Sequence, residues 1–238
     1  MITLYQGNAL RIMDELEPGS FDAIITDPPY SSGGASIRET AEVPSIKYTG
    51  TKGTCPFPEF EGETMDQRTW TGFITETLEK ARRLCRPGAV CAMFSDWRQY
   101  PSATDAFQRA GWRWRGTVIW DKMNSRPQKG RFKQQAEFII WGSNGRLPIN
   151  RPVPVLPGVF AHAIVQGKER LHMTQKPLEL MRALVKISVP GGKILDPFAG
   201  SGSTLEAARL EGYNVVGIEV NREIAETAAG RLGVTISF

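Results

Sequence analysis

The residues best suited to chemistry fall in two short stretches. Asp27-Pro28-Pro29-Tyr30 sets a carboxylate beside two prolines and a phenol, directly after the apolar run 22–26. Proline fixes its own φ and lacks an amide donor, so the pair stiffens the peptide that follows the acid. The second stretch, Asp196-Pro197-Phe198-Ala199-Gly200-Ser201-Gly202-Ser203-Thr204, also follows an apolar run. Glycines at 200 and 202 let backbone approach a ligand closely, and a helix starting after them offers it free N–H groups. Glu219 ends the next apolar run, 17 residues past Gly202. An acid at such a strand end can accept both hydroxyls of a ribose. The third glycine of GxGxxG is missing, which disfavours a nicotinamide dinucleotide. Taken alone, the stretch also reads as a tight strand-to-helix turn.

The elements that must position these residues follow from periodicity and punctuation. Residues 2–6 read as a strand, 9–16 as a helix stopped by Pro18-Gly19, and 22–26 as a buried strand. Asp66 can cap a helix whose apolar face holds Trp70, Phe73, Ile74, Leu78, Ala81 and Leu84. Residues 89–96 form another buried strand and 102–110 a short helix. Residues 112–122 and 136–143 pair as antiparallel strands. Pro177 opens a helix at its first position, running to about Val189. Then come a strand from 193, a helix over 203–211, the strand 214–220, and a last helix capped by Asn221. Strands alternating with helices predict an α/β fold with a mostly parallel sheet, helices on both faces and an antiparallel hairpin at one edge. Ligands of such sheets bind beyond the strands' carboxyl ends, so Asp27 and Gly200 are predicted to converge. One domain spans 1–238, with a mobile loop or insertion over 31–69 and a Pro-rich irregular segment over 144–171.

Composition narrows the class. With 238 residues and 41% hydrophobic content, the chain buries a core without disulfides. Three cysteines in no CxxC spacing read as reduced thiols of a cytoplasmic protein, Cys85 and Cys91 packing in the core. Neither a signal peptide nor a membrane span is expected. His162 and His172 stand ten apart without a cysteine cluster, so no metal is expected. The net charge is only +4, but Arg113, Arg115, Lys122, Arg126, Lys129, Arg131 and Lys133 face a single acid, Asp121, within 21 residues. That excess suits phosphates; it also suits a solvated basic hairpin. Trp97, Trp112 and Trp114 can contact nucleic acid or pack against the sheet.

Asp27-Pro28-Pro29-Tyr30 and the 196–204 stretch together resemble the DNA amino-methyltransferases. Three further segments match: His172-Met173-Thr174-Gln175-Lys176-Pro177, Trp120-Asp121-Lys122 with Glu137-Phe138-Ile139-Ile140-Trp141, and Gly7-Asn8-Ala9-Leu10. The order, catalytic motif before cofactor motif, resembles the permuted β-class. The resemblance covers nearly the whole chain except 31–65 and 144–171. It implies a Rossmann-like fold that moves a methyl group from S-adenosylmethionine to an exocyclic amine of a base flipped out of double-stranded DNA. DPPY leans towards adenine N6 and SPPY towards cytosine N4, the alternative.

Under this resemblance Asp27 and the Pro28 carbonyl accept the amine hydrogens, Pro29 stiffens the loop and Tyr30 stacks on the base. Asp196, Phe198, Gly200, Ser201, Gly202 and Glu219 hold the cofactor, with Asn8, Thr174 and Lys176 as further candidates. Asn8 replaces the family's usual acid. Phe198 reads equally as a core residue. Lys122, Arg126, Lys129, Arg131 and Lys133 face the DNA, and no metal takes part. The brevity of 144–171, where this class carries target recognition, implies a short or degenerate site. A homodimer and a companion restriction endonuclease are the other partners implied. Weighed against this are an RNA or protein-glutamine methyltransferase, a silent DNA-binding partner and a nicotinamide-dependent oxidoreductase.

Overall fold

The structure is a computed structural model that describes residues 1–31, 65–165 and 175–238. Its elements in chain order are β1 (Ile2–Gln6), α1 (Ala9–Glu15), β2 (Phe21–Thr26), α2 (Gln67–Leu84), β3 (Cys85–Ser95), α3 (Tyr100–Arg109), β4 (Arg113–Asp121), β5 (Ala136–Ser143), β6 (Val159–Ala161), α4 (Leu178–Val185), β7 (Lys193–Asp196), α5 (Ser203–Leu210), β8 (Asn214–Glu219), α6 (Arg222–Leu232) and β9 (Ile236–Ser237). The strands form one sheet in the order β6-β4-β5-β3-β2-β7-β8-β1-β9. Among the described strands β5 alone runs against its neighbours, β3 and β4; every other pairing is parallel.

The sheet is α/β as expected, and its centre is apolar on both faces. β2 is buried from Ala23 to Thr26 because parallel strands covered by helices on both sides need apolar residues throughout. Alternation along the strands feeds two cores. Ala23, Ile25, Val90, Ala92, Phe94 and Ile194 point to the face covered by α4, α5 and α6. Phe21, Ile24, Cys91, Met93, Leu195 and Ile218 point to the face covered by α1, α2 and α3. Cys85 and Cys91 lie in this second core, and burial pushes both thiols well up. Asp66 and Asn221 cap α2 and α6, as expected: the Asp66 carboxylate accepts from the N–H groups of Arg68 and Thr69, and the Asn221 amide oxygen from that of Ile224. Among the described residues no helix is long and apolar enough to cross a membrane.

Several boundaries differ from the sequence reading. Of the segment 31–69, residues 32–64 lie outside the described residues, and Gln67–Thr69 is already the first turn of α2. The segment 144–171 is not wholly irregular. Its β6 adds to β4 outside the hairpin, pairing Ile119 with Val159 and Asp121 with Ala161. A three-residue strand is too short to show a period. The indole of Trp120, which donates to the His162 carbonyl at 2.8 Å, helps hold the segment there. Pro177 caps α4 rather than opening it, and α4 stops at Val185. β3 starts directly at Cys85; its pairing with β2 shifts register between Phe21 and Ala23, which takes up Pro87-Gly88.

Candidate active site

β2 and β7 are neighbours, with Ala23 opposite Ile194 and Ile24 opposite Leu195. The loops leaving their carboxyl ends therefore emerge side by side. A buried hydrogen bond fastens them together: the Thr26 hydroxyl donates to the Asp196 carboxylate at 2.8 Å. The two motifs open into one cavity of about 780 Å³, whose wall includes Asp27, Tyr30, Gly200 and Glu219. The hairpin β4–β5 closes one side through Trp120, Lys122 and Glu137, and the turn after β1 contributes Gly7 and Asn8.

The Gly200 side is built mainly from backbone and short turns. Gly200 has φ +51, and a Cβ there would meet nothing within 4 Å, so the peptide faces open space. Gly202 has φ +84, and its Cβ would lie 3.1 Å from Leu232 of α6, so this position needs glycine twice over. Glu219 bridges the turn, accepting from the Gly200 N–H at 2.8 Å and the Asn221 N–H at 2.9 Å. Burial raises its carboxyl, and those N–H groups oppose the rise. Asp196 is 1% exposed and accepts from Thr26 and from the Phe198 N–H at 3.1 Å. Burial pushes its carboxyl up to about 6, against the hydrogen bonds from Thr204 and Thr26. Phe198 is half-buried and meets Phe73 edge-on at 5.8 Å between ring centres, so it is a wall of the cavity.

The Asp27 side is built from charged side chains. The Tyr30 hydroxyl lies 2.7 Å from Asp27 Oδ1 and 3.2 Å from Glu137 Oε2. The Lys176 ammonium donates to Asp27 Oδ2 and lies 3.5 Å from Glu137 Oε2. Lys122 pairs with Glu137 Oε1 at 3.1 Å. Lys176 is 7% exposed and sits over the rings of Phe94 at 4.9 Å and Tyr30 at 5.5 Å. Burial raises the Asp27 carboxyl; Lys176 pulls it back and Glu137 pushes it further up. Burial alone would discharge Lys176, but Asp27 and Glu137 hold its ammonium above the ordinary range. Burial would likewise raise Glu137, yet Lys176 and Lys122 bring it below the usual value. From the opposite face, the Trp70 indole donates to the Pro29 carbonyl at 2.6 Å and pins the loop to α2.

The structure thus brings together Asp27, Pro28, Pro29, Tyr30, Asp196, Phe198, Gly200, Ser201, Glu219, Asn8 and Lys176 on one cavity. Gly202 lies behind the turn. Three of the expected residues have further partners in the structure. Lys176 lines the cavity and engages Asp27. The Asn8 amide oxygen caps α1, accepting from Leu10 N–H at 2.9 Å, which leaves its NH₂ group for the cavity. Lys122 faces inward to Glu137, while Arg126, Lys129, Arg131 and Lys133 are exposed. Thr174 and His172 fall outside the described residues. Glu137 was missed as a site residue: the only signal for it was its place in the hairpin motif. Trp112 is buried and packs in the core; Trp97 and Trp114 stay exposed. No group of three or more His, Cys, Asp or Glu that could hold a metal occurs among the described residues.

Comparison with known proteins meets this geometry. The family model described as DNA methylase, N6/N4 type, matches residues 21–155 and 155–230. The chain belongs to this DNA amino-methyltransferase family, whose methyl donor is S-adenosylmethionine. It is 27% identical over 249 residues to Type II methyltransferase M2.MboI of Moraxella bovis, covering 96% of this chain and 86% of the relative. It superposes on the M1.HpyAVI–SAM complex with a TM-score of 0.74 at 25% identity, over 98% of this chain and 100% of that one. The cytosine-N4-specific PvuII DNA methyltransferase shares the fold, with a TM-score of 0.71 at 14% identity, over 97% and 86%.

The cavity fits the cofactor. An open glycine peptide, the start of α5, which no side chain caps, and the Glu219 carboxylate suit a nucleoside, and Phe198 offers an apolar wall. When bound, S-adenosylmethionine supplies an electrophilic methyl group.

Proposed function

We propose that this chain methylates adenine N6 in double-stranded DNA, acting on a base flipped into the cavity beside Asp27. The observation that carries the reading is the Thr26–Asp196 bond, which sets a nucleoside-type turn beside a carboxylate at one sheet edge. An exocyclic amine is a poor nucleophile because its lone pair is delocalised into the ring. Asp27 Oδ1 and the Pro28 carbonyl accept its two hydrogens, drawing the lone pair out of conjugation. Both oxygens then stabilise the positive charge that grows on nitrogen, in a site already organised for it. Lys176 and Glu137 fix the carboxylate's direction. Burial raises the Asp27 carboxyl, and the Lys176 ammonium beside it opposes that rise. The Tyr30 ring, held by its hydroxyl, stacks on the flipped base. The aspartate of DPPY, in place of serine, supports adenine over cytosine. The short chain between β5 and α4 supports a short or degenerate target.

Unmethylated DNA incubated with isotope-labelled cofactor, then digested to nucleosides, tests the reading. Label in N6-methyladenine is expected; label confined to N4-methylcytosine contradicts it.

A further inference from the structure

The loop between β4 and β5 carries a side chain that neither the fold nor the chemistry uses. Phe132 is 98% exposed. It is flanked by Arg131 and Lys133, with Lys129 and Arg126 nearby, and no acid occurs between Lys122 and Gln135. All four cations are exposed. An aromatic ring so fully in water contributes nothing to the core, and the cationic setting does not suit a contact between apolar surfaces.

The loop's stem is fixed to the cavity mouth. Lys122 N–H donates to the Gln135 carbonyl at 2.7 Å, and the Gln135 amide donates to Asp121 at 3.0 Å. Asn124 exchanges two hydrogen bonds with the backbone of Ile164, at 3.2 and 2.8 Å. The Lys133 ammonium donates to the Met123 carbonyl across the stem. Asn124, Arg126 and Gln134 line the same cavity as Asp27, so Phe132 stands two residues from the rim. Gly130, at φ +74, turns the chain just before it.

We infer that Phe132 is a wedge that enters the base stack of duplex DNA and fills the space left when the target base moves into the cavity. The flanking cations meet the phosphates on either side of the gap, and the ring replaces the lost stacking. Charge complementarity selects a polyanion as the occupant, and the loop's junction with the cavity selects the strand being modified. The inference rests on the DNA-methylating reading and adds a residue to it.

Phe132→Ala, Phe132→Lys and Phe132→Trp separate the possibilities, with circular dichroism to verify folding and sedimentation to give the mass. Initial label transfer to unmethylated plasmid is the readout. The alanine and lysine variants are expected to lose about tenfold or more in kcat/KM, while tryptophan stays within about threefold, because only a large flat ring restores stacking. Full activity in the lysine variant shows a phosphate contact only and overturns the wedge. So does an unchanged alanine variant, or equal loss in all three. A dimeric wild type that becomes monomeric as Phe132→Ala shows a subunit contact and also overturns it. Nucleoside analysis of the same reactions keeps the two readings apart: N4-methylcytosine sinks the adenine assignment and leaves the wedge standing. A wild type that labels no DNA sinks both.

Discussion

The two halves of the cavity are made differently. On the Gly200 side, apart from the Thr26 hydroxyl on Asp196, the contacts are local and backbone donors supply most of them: Gly200, Phe198 and Asn221 N–H groups on two carboxylates, within residues 196–221. On the Asp27 side the contacts join side chains far apart in sequence. Tyr30 to Glu137 spans 107 positions and Lys176 to Asp27 spans 149. Backbone donors have fixed directions and hold these two carboxylates in one place. A network of ionised side chains suits a group whose charge must be held while charge changes beside it. On the proposed reading the Gly200 side binds and the Asp27 side does the chemistry, so substitutions on each side should fail in different ways.

The largest effect is expected from Asp27→Ala. Methyl transfer should fall about 10³-fold or more, since it removes the acceptor that localises the amine lone pair. Retained label transfer within about tenfold of wild type contradicts that role.

Lys176→Met comes next. It removes the cation that opposes the burial of Asp27, so the Asp27 carboxyl rises further. If transfer needs the ionised form, the acid limb of the pH–rate profile moves to higher pH, and kcat falls about 10²-fold near neutrality. Breaking the pair also leaves the partly buried Asp27 carboxylate without its cation and costs stability of about 3 kcal/mol. A lower kcat with an unmoved acid limb would assign Lys176 to packing alone.

Behind the Gly200 turn, Gly202→Val forces a branched side chain into φ +84 and against Leu232. Cofactor affinity should drop about tenfold, with about 1–2 kcal/mol of strain; an unchanged cofactor titration contradicts it.

Asp196→Asn tests the pH balance. In wild type the Asp196 carboxyl is raised from 3.8 to about 6. A raised acid favours the folded state while protonated, so stability is full below pH 3.8 and falls as pH rises through about 6. The shift of about 2 units corresponds to at most about 3 kcal/mol. Thermal melts of the variant should lack this decline between pH 4 and 7, and a parallel decline in both proteins refutes the assignment.

The smallest effect is Trp70→Phe, which removes the hydrogen bond to the Pro29 carbonyl while keeping the core filled. About 1 kcal/mol of stability and several-fold in kcat are expected, measured by denaturant unfolding and initial rates.

The same contrast explains what the sequence reveals. The glycine turn, its strand, its helix and Glu219 are continuous along the chain, so spacing alone displays them. The convergence of Asp27 with Gly200 also follows from pattern, because both end strands of one parallel sheet. The contact between Lys176 and Asp27 joins residues 149 apart in sequence, so no spacing displays it. Glu137 shares a strand face with Ile139 and Trp141, and nothing in that pattern shows the lysines it meets. β6 has only three residues, which pair by tertiary contact and show no period. The charged network is therefore the part least visible in the sequence.

The most direct test of divided walls is a calorimetric titration of S-adenosylmethionine into the Asp27→Ala protein. With cofactor held on the Gly200 side, Kd should stay within about threefold of wild type, a change below 1 kcal/mol. A weakening of about thirtyfold or more, some 2 kcal/mol, would mean that Asp27 carries cofactor binding and that the division is wrong.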